Sequence, residues 1–61
     1  MEITKQKMIE VCENNGFGMV ANSSPGVEEI MLNFLKIGEA IWLCDNIYVL
    51  EISSEFEDLF M

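Results

Sequence analysis

The chain has 61 residues, 51% of them hydrophobic, and carries 11 acidic residues against three lysines, for a formal net charge of −8. A chain this short is expected to form one domain over residues 1–61, with one small core. The charge argues against direct binding to nucleic acid, whose phosphates are neutralised by Lys and Arg, and against an anionic membrane surface.

The first predicted element is an amphipathic helix over residues 4–14. Thr4 can cap its start, and apolar side chains recur at steps of three and four residues. Gly16 supplies a left-handed stop after the helix. The next segment, residues 17–21, reads FGMVA and predicts a short strand.

A second helix is predicted over residues 25–37. Ser24 followed by Pro25 is a favourable opening, because a hydroxyl cap precedes a proline at the first helical position. Apolar residues cover more than one stripe of this helix, so it is expected to be buried on more than one side. Gly38 is its expected end.

A β-hairpin is predicted over residues 40–52, AIWLCDNIYVLEI, with a two-residue turn at Asp45 and Asn46. Both faces of this hairpin are largely apolar, whereas a hairpin that packs one face on a core normally alternates apolar with polar residues. The pairs expected from the turn are Cys44 with Ile47, Leu43 with Tyr48, Trp42 with Val49, and Ile41 with Leu50.

The predicted fold class is a two-layer α+β domain of order α–β–α–β–β, in which the C-terminal hairpin packs on two helices. A short helical tail follows in residues 53–61, where Ser54 and Glu57 have capping-box spacing. The weak first strand would join the hairpin in parallel through a right-handed crossover. Unless the tail covers it in part, no segment is long enough to cover the second face of the hairpin, so this face is expected to contact another chain.

The residues that carry most enzyme chemistry are missing or isolated. There is no His, which removes the commonest general base and metal ligand. Cys12 and Cys44 lie far apart in apolar surroundings, which favours reduced, buried thiols and cannot complete a zinc site. We therefore expect no enzymatic activity, no catalytic residue, no metal and no cofactor. The thiols and the lack of an apolar leader indicate a cytoplasmic protein.

Two sets of residues are candidates for contact with a partner protein. Large aromatic and aliphatic side chains anchor many interfaces, and acidic side chains suit a basic partner. The ordinary alternatives are core packing for the first set and a solvated surface for the second. The candidate apolar contacts are Trp42, Tyr48, Leu50, Ile52, Phe56 and Phe60, and the candidate partner-facing acids are Glu51, Glu55, Glu57 and Asp58.

The leading hypothesis is a small acidic protein that binds a basic, nucleic-acid-handling protein and modulates or inhibits it, its carboxylates imitating phosphates. The alternative is a homo-oligomer, most simply a symmetric dimer with a structural or regulatory role. Neither hypothesis involves direct contact with nucleic acid or with a membrane. An enzyme that relies on carboxylates or one thiol is the least supported class.

Overall fold

The computed structural model describes all residues 1–61 and consists mainly of one five-stranded antiparallel sheet. The elements in chain order are β1 (Glu2–Thr4), α1 (Lys5–Asn15), β2 (Gly18–Ala21), β3 (Val27–Leu32), β4 (Leu35–Cys44), β5 (Ile47–Ile52), α2 (Ser54–Glu57) and a 3₁₀ turn (Asp58–Phe60). In the sheet the strands lie in the order β1–β5–β4–β3–β2. None of the helices is long and apolar enough to cross a membrane.

The predicted first helix and the short strand after it are confirmed. The Oγ1 atom of Thr4 accepts a hydrogen bond from the backbone N–H of Lys7 at 3.2 Å, so Thr4 is the N-cap of α1. Gly16 ends the helix with a φ of 70°, a left-handed conformation that costs glycine little. Strand β2 then lies within the predicted segment 17–21.

The helix predicted over residues 25–37 is wrong, because this segment forms β3, a tight turn and the first residues of β4. Asn33 provides the positive φ that the turn needs, 57°, in a residue type that tolerates the left-handed region. The apolar residues of this segment would lie on all sides of a helix. The same sequence also fits two strands with apolar side chains on both faces, so the pattern alone does not distinguish the two structures. Tertiary pairing decides between the two, because both strands find hydrogen-bonded partners in the sheet.

The Ser-Pro pair that favoured a helix start instead forms a turn before β3. The N–H of Val27 donates to the carbonyl of Ser24 at 3.3 Å, and Gly26 has a φ of 77°. Pro25 at the second position and glycine with positive φ at the third are the signature of a type II turn. The glycine after the proline was therefore the informative residue.

The predicted two-layer order α–β–α–β–β, with the hairpin packed on two helices, is therefore wrong. The sheet has five strands, including β1, which the sequence pattern did not predict, and only α1 is a helix of substantial length. The predicted parallel crossover is also wrong, since β2 pairs antiparallel with β3. Short connections between neighbouring strands make this meander the simpler topology.

A β-bulge at Leu43 decides which side chains of β5 reach the core. The turn at residues 45–46 and the pair Cys44–Ile47 agree with the prediction, but Leu43 is an extra residue without a partner. A shift of one residue moves all later side chains to the opposite face. The predicted pairs of Leu43 with Tyr48, Trp42 with Val49, and Ile41 with Leu50 are therefore wrong, and the observed pairs are Trp42 with Tyr48, Ile41 with Val49, and Ala40 with Leu50.

All the buried residues form one core between one face of the sheet, here called the inner face, and the layer made by α1 and the tail. The opposite face, here called the outer face, contributes no buried residue. A single helix and a short tail therefore cover one side of the sheet and leave the other uncovered. The core consists of Ile3, Met8, Val11, Cys12, Ile30, Ile37, Ala40, Tyr48, Leu50 and Phe60.

The tail folds back on the core through aromatic contacts. The ring of Phe17 lies 5.6 Å from that of Phe56 in an edge-to-face arrangement and 6.2 Å from that of Phe60 in a stacked one. The predicted helical turn is confirmed as α2, but its N-cap is Ser53, which makes no side-chain capping bond. The hydroxyl of Ser53 instead donates to the carbonyl of Ile37 at 3.1 Å.

We expect Gly38→Ala to destabilise the protein, because a Cβ at this position would lie 2.5 Å from the carbonyl oxygen of Glu51 and 2.9 Å from the Cα of Ile52. Backbone atoms of the neighbouring strand cannot yield easily, so we expect a loss of roughly 1–3 kcal/mol in the free energy of unfolding, measured by urea titration. Gly18→Ala is the matched control, because its Cβ would meet only Met31 at 4.0 Å. Equal stability of the two variants would contradict the close strand approach at Gly38.

Candidate protein-binding surface

The outer face carries two parallel rows of side chains that run across the strands. Residues directly opposite each other in an antiparallel sheet project from the same face, so the strand register defines both rows. The apolar row consists of Val27, Ile41 and Val49 on β3, β4 and β5. The acidic row consists of Glu29, Glu39 and Glu51. Each of these residues lies two positions from the member of the apolar row on the same strand.

Cross-strand repulsion is built into the acidic row. Three carboxylates occupy directly opposed positions on adjacent strands, an arrangement that destabilises a sheet when the charges are not compensated. The ammonium group of Lys36 lies 2.8 Å from Glu39 and 3.9 Å from Glu29 and compensates part of this charge. Glu51 has no such partner. The row therefore keeps a net negative charge on an uncovered surface.

The pKa of Lys36 reflects the same contacts. The hydrogen bond to Glu39 is the main cause that raises it above the ordinary lysine value, and attraction to Glu39 and Glu29 adds to the effect. Lys36 therefore stays charged at neutral pH. Glu29 is further held by the side-chain amide of Asn22, which donates to its carboxylate at 2.7 Å. These bonds fix two of the three carboxylates in position.

The apolar row and its neighbours on the outer face are only partly buried. Val27, Ile41 and Val49 have intermediate exposure and lie directly opposite one another on adjacent strands. Val20, opposite Glu29 on the edge strand β2, is 52% exposed. The outer face therefore presents partly exposed aliphatic side chains directly beside carboxylates.

Further large apolar side chains are exposed at the two ends of β4. Phe34 is 101% exposed at the tip of the β3–β4 turn, with Leu35 exposed next to it. At the other end Trp42 and Leu43 are about half exposed, and the indole N–H of Trp42 donates to the carbonyl of Asp45 at 3.1 Å. The bond orients the Trp42 ring without burying it.

The structure separates the six predicted apolar contacts into core and surface. Tyr48, Leu50 and Phe60 belong to the core, so they are not available to a partner in this fold. Ile52 and Phe56 are partly buried against the same core. Of the six, only Trp42 is largely exposed. The bulge at Leu43 accounts for much of this outcome, since it turns Tyr48 and Leu50 inward.

The predicted partner-facing acids lie in two places. Glu51 belongs to the acidic row of the sheet, whereas Glu55, Glu57 and Asp58 lie exposed on α2 and the 3₁₀ turn. The sequence reasoning missed Glu29 and Glu39, because it assigned the first to a helix and placed the second only at a hairpin end. The sequence of β3, VEEIML, does not alternate between apolar and acidic residues, so it gave no local signal for the acidic row.

Two open grooves lie on the surface. The larger, about 640 Å³ and widely open, lies beside α1 and has Ile9 as its only apolar lining residue. The smaller lies along β1 and the C-terminal end of the chain. No group of three or more Cys, Asp or Glu side chains is arranged to hold a metal ion.

The two cysteines are both free, but their environments differ. Cys12 is buried in the core, and Cys44 is exposed at the end of β4. The expectation that both thiols are buried is therefore wrong for Cys44. Burial raises the pKa of the Cys12 thiol above its ordinary value, and the negative charge of Glu28 raises it further. Little Cys12 thiolate is available at neutral pH.

Comparison of the chain with models of protein families, with curated proteins and with solved structures finds no match. The candidate surface is therefore defined by its own residues alone.

We expect the two thiols to react at very different rates with iodoacetamide in the native protein at neutral pH. Cys44 should be alkylated readily, whereas Cys12 should react only after unfolding in urea, because the thiolate is the nucleophile and Cys12 is both buried and protonated. Mass spectrometry of digests measures both sites. Cys44→Ser is the control and should show almost no native labelling. Fast labelling of Cys12 would contradict its place in the core.

Proposed function

We propose that this protein binds a basic protein partner and inhibits or modulates it. The observation that carries the proposal is the uncovered outer face, on which aliphatic side chains lie beside a row of carboxylates with only one lysine among them. Uncovered apolar surface provides contact area, and the net charge of −8 attracts a basic partner over a distance. The partner class follows from the sign of the charge.

The inhibitory mode rests on the resemblance between a carboxylate array and a nucleic-acid backbone. Adjacent antiparallel strands lie about 4.8 Å apart, so the three carboxylates of the acidic row extend over roughly 10 Å. A protein that holds phosphates with Lys and Arg offers the complementary charges. We propose that the bound protein occupies the phosphate-contacting surface of its partner and so excludes nucleic acid from it.

No catalytic role is part of this proposal. Cys12 is buried with a raised pKa, and the carboxylates of the acidic row lie on an open surface rather than in a cleft that would shift a pKa for acid–base chemistry. The two unpaired cysteines also support a reducing compartment, so we place the protein's action in the cytoplasm.

The proposal predicts a salt-sensitive complex that competes with nucleic acid. Affinity capture from host lysate would identify candidates, and the purified partner would then be tested by stopped-flow association over a range of salt concentrations. We expect a basic partner whose association rate falls steeply as ionic strength rises, and whose bound nucleic acid is displaced by this protein in a fluorescence anisotropy assay. A salt-independent rate, or simultaneous binding of both ligands, would contradict the inhibitory mode.

A second candidate function, a homodimer, is favoured by the free edge of β2. This edge strand, Gly18–Ala21, is only four residues long but carries no charged residue and no proline, two of the devices that prevent strands from pairing between molecules. Antiparallel pairing of two β2 strands across a two-fold axis would join two sheets into one. Exposed Val20 would then lie near the axis.

We expect Val20→Lys to abolish any such dimer, because a charge at the edge strand repels its symmetry mate. Size-exclusion chromatography with light scattering gives the mass of each species over a range of concentrations. Gln6→Lys, on the exposed surface of α1, introduces the same charge change and should leave the mass unchanged. A wild-type protein that stays monomeric at all concentrations would exclude the homodimer.

A further inference from the structure

The outer face offers two features side by side whose positions the strand register fixes. The apolar row of Val27, Ile41 and Val49 lies next to the acidic row, because members of the two rows are two residues apart on each strand. Alternate residues of a strand are about 6.7 Å apart, so the rows are separated by about that distance. A partner that fits both must carry apolar and basic side chains in two adjacent strips.

A second copy of this chain does not fit the outer face. Face-to-face packing would bring two acidic surfaces of the same composition together, and each chain carries a formal charge of −8. Burial of like charges against each other costs free energy that the apolar row cannot easily offset. The dimer considered above uses the edge of β2 instead and leaves this face free.

From this we infer that the outer face of the sheet is the docking site for a basic partner protein, which places an apolar strip over Val27, Ile41 and Val49 and Lys or Arg side chains over Glu29, Glu39 and Glu51. This inference rests on the proposed function and adds to it the pattern that the partner must carry, an apolar strip beside a basic strip. The exposed acids of the tail, Glu55, Glu57 and Asp58, supply long-range attraction without being part of the contact.

The size of the face sets the kind of complex. Five strands at about 4.8 Å spacing and about six residues in length give a flat area of roughly 400 Å², about half the surface that each partner contributes to a standard stable interface. Contact of this size belongs to weak, transient complexes. Charge pairing with the partner therefore contributes a large share of the specificity. Lys36 competes with the partner's basic side chains, because it already pairs with Glu29 and Glu39.

The test uses a synthetic helical peptide with a stripe of Leu beside an adjacent stripe of Lys, here called the Leu–Lys peptide, as the probe and the ¹⁵N-labelled 61-residue protein as the receptor. We expect amide chemical-shift changes centred on the apolar and acidic rows, and weaker binding of an oligolysine peptide of equal charge that lacks the apolar strip. Shifts centred on Glu55, Glu57 and Asp58 would overturn the choice of surface while leaving a basic partner in place. Absence of binding by either peptide at low salt would contradict the proposed function itself.

Matched charge variants separate location from overall charge. Glu39→Gln with Glu51→Gln and Glu55→Gln with Glu57→Gln both change the formal net charge from −8 to −6. We expect the first pair to weaken binding of the Leu–Lys peptide roughly tenfold at low salt and the second pair, which removes only long-range attraction, to weaken it no more than about twofold. Equal losses would show that only net charge matters and would overturn the inference.

Two further variants test the details of the contact. Val49→Thr keeps the side-chain shape and a residue type common in strands, so it should preserve the fold while it weakens peptide binding several-fold. Lys36→Gln frees two carboxylates and should strengthen binding about two- to fivefold. Thermal unfolding followed by circular dichroism confirms that each variant is folded. Unchanged affinity in both would contradict direct docking on this face.

Discussion

The structure depends on one constraint, which is that a five-stranded sheet has two faces and this chain contains only one helix of substantial length. Helix α1 and the folded-back tail bury the inner face, and Met8 and Ile30 become completely inaccessible to water between the two layers. The burial of this single apolar layer is the main source of stability in so small a domain. The composition of the outer face follows from the same limit, since its side chains must tolerate water without losing the strand-forming character that holds the sheet together.

The outer face meets these two demands by alternating aliphatic and acidic rows. The apolar row consists of β-branched Val and Ile side chains, which favour strands. The glutamates two residues away on each strand keep the face hydrated. The cost is repulsion between opposed glutamates, which the bonds of Lys36 and Asn22 reduce but do not remove. A basic surface would complete the compensation. The uncompensated negative charge of the acidic row thus lowers the stability of the sheet, and the same charge would attract the proposed basic partner.

The sequence predicts the locally determined parts of this fold and fails where distant pairing decides. Thr4 and Gly16 delimit α1 through hydrogen bonds to residues only three or four positions away, so the sequence predicts both ends of this helix. The apolar residues of segment 25–37 fit the helical period as well as that of two strands, and only the pairing partners in the sheet select the strands. Strand β1 is three residues long and has no pattern of its own. The acidic row could not be predicted, since it needs the register of three strands at once.

The bulge at Leu43 makes the length of β4 more important than the identity of the residue that bulges. Leu43 pairs with nothing and is half exposed, so many side chains could stand in its place. Its deletion, however, would rotate β5 by half a turn relative to β4, and would send Tyr48 and Leu50 into water while Glu51 entered the hydrocarbon interior. The orientation of β5 therefore depends on the number of residues in β4. Leu43 can be replaced by another residue, but its deletion would turn the side chains of β5 to the opposite face of the sheet.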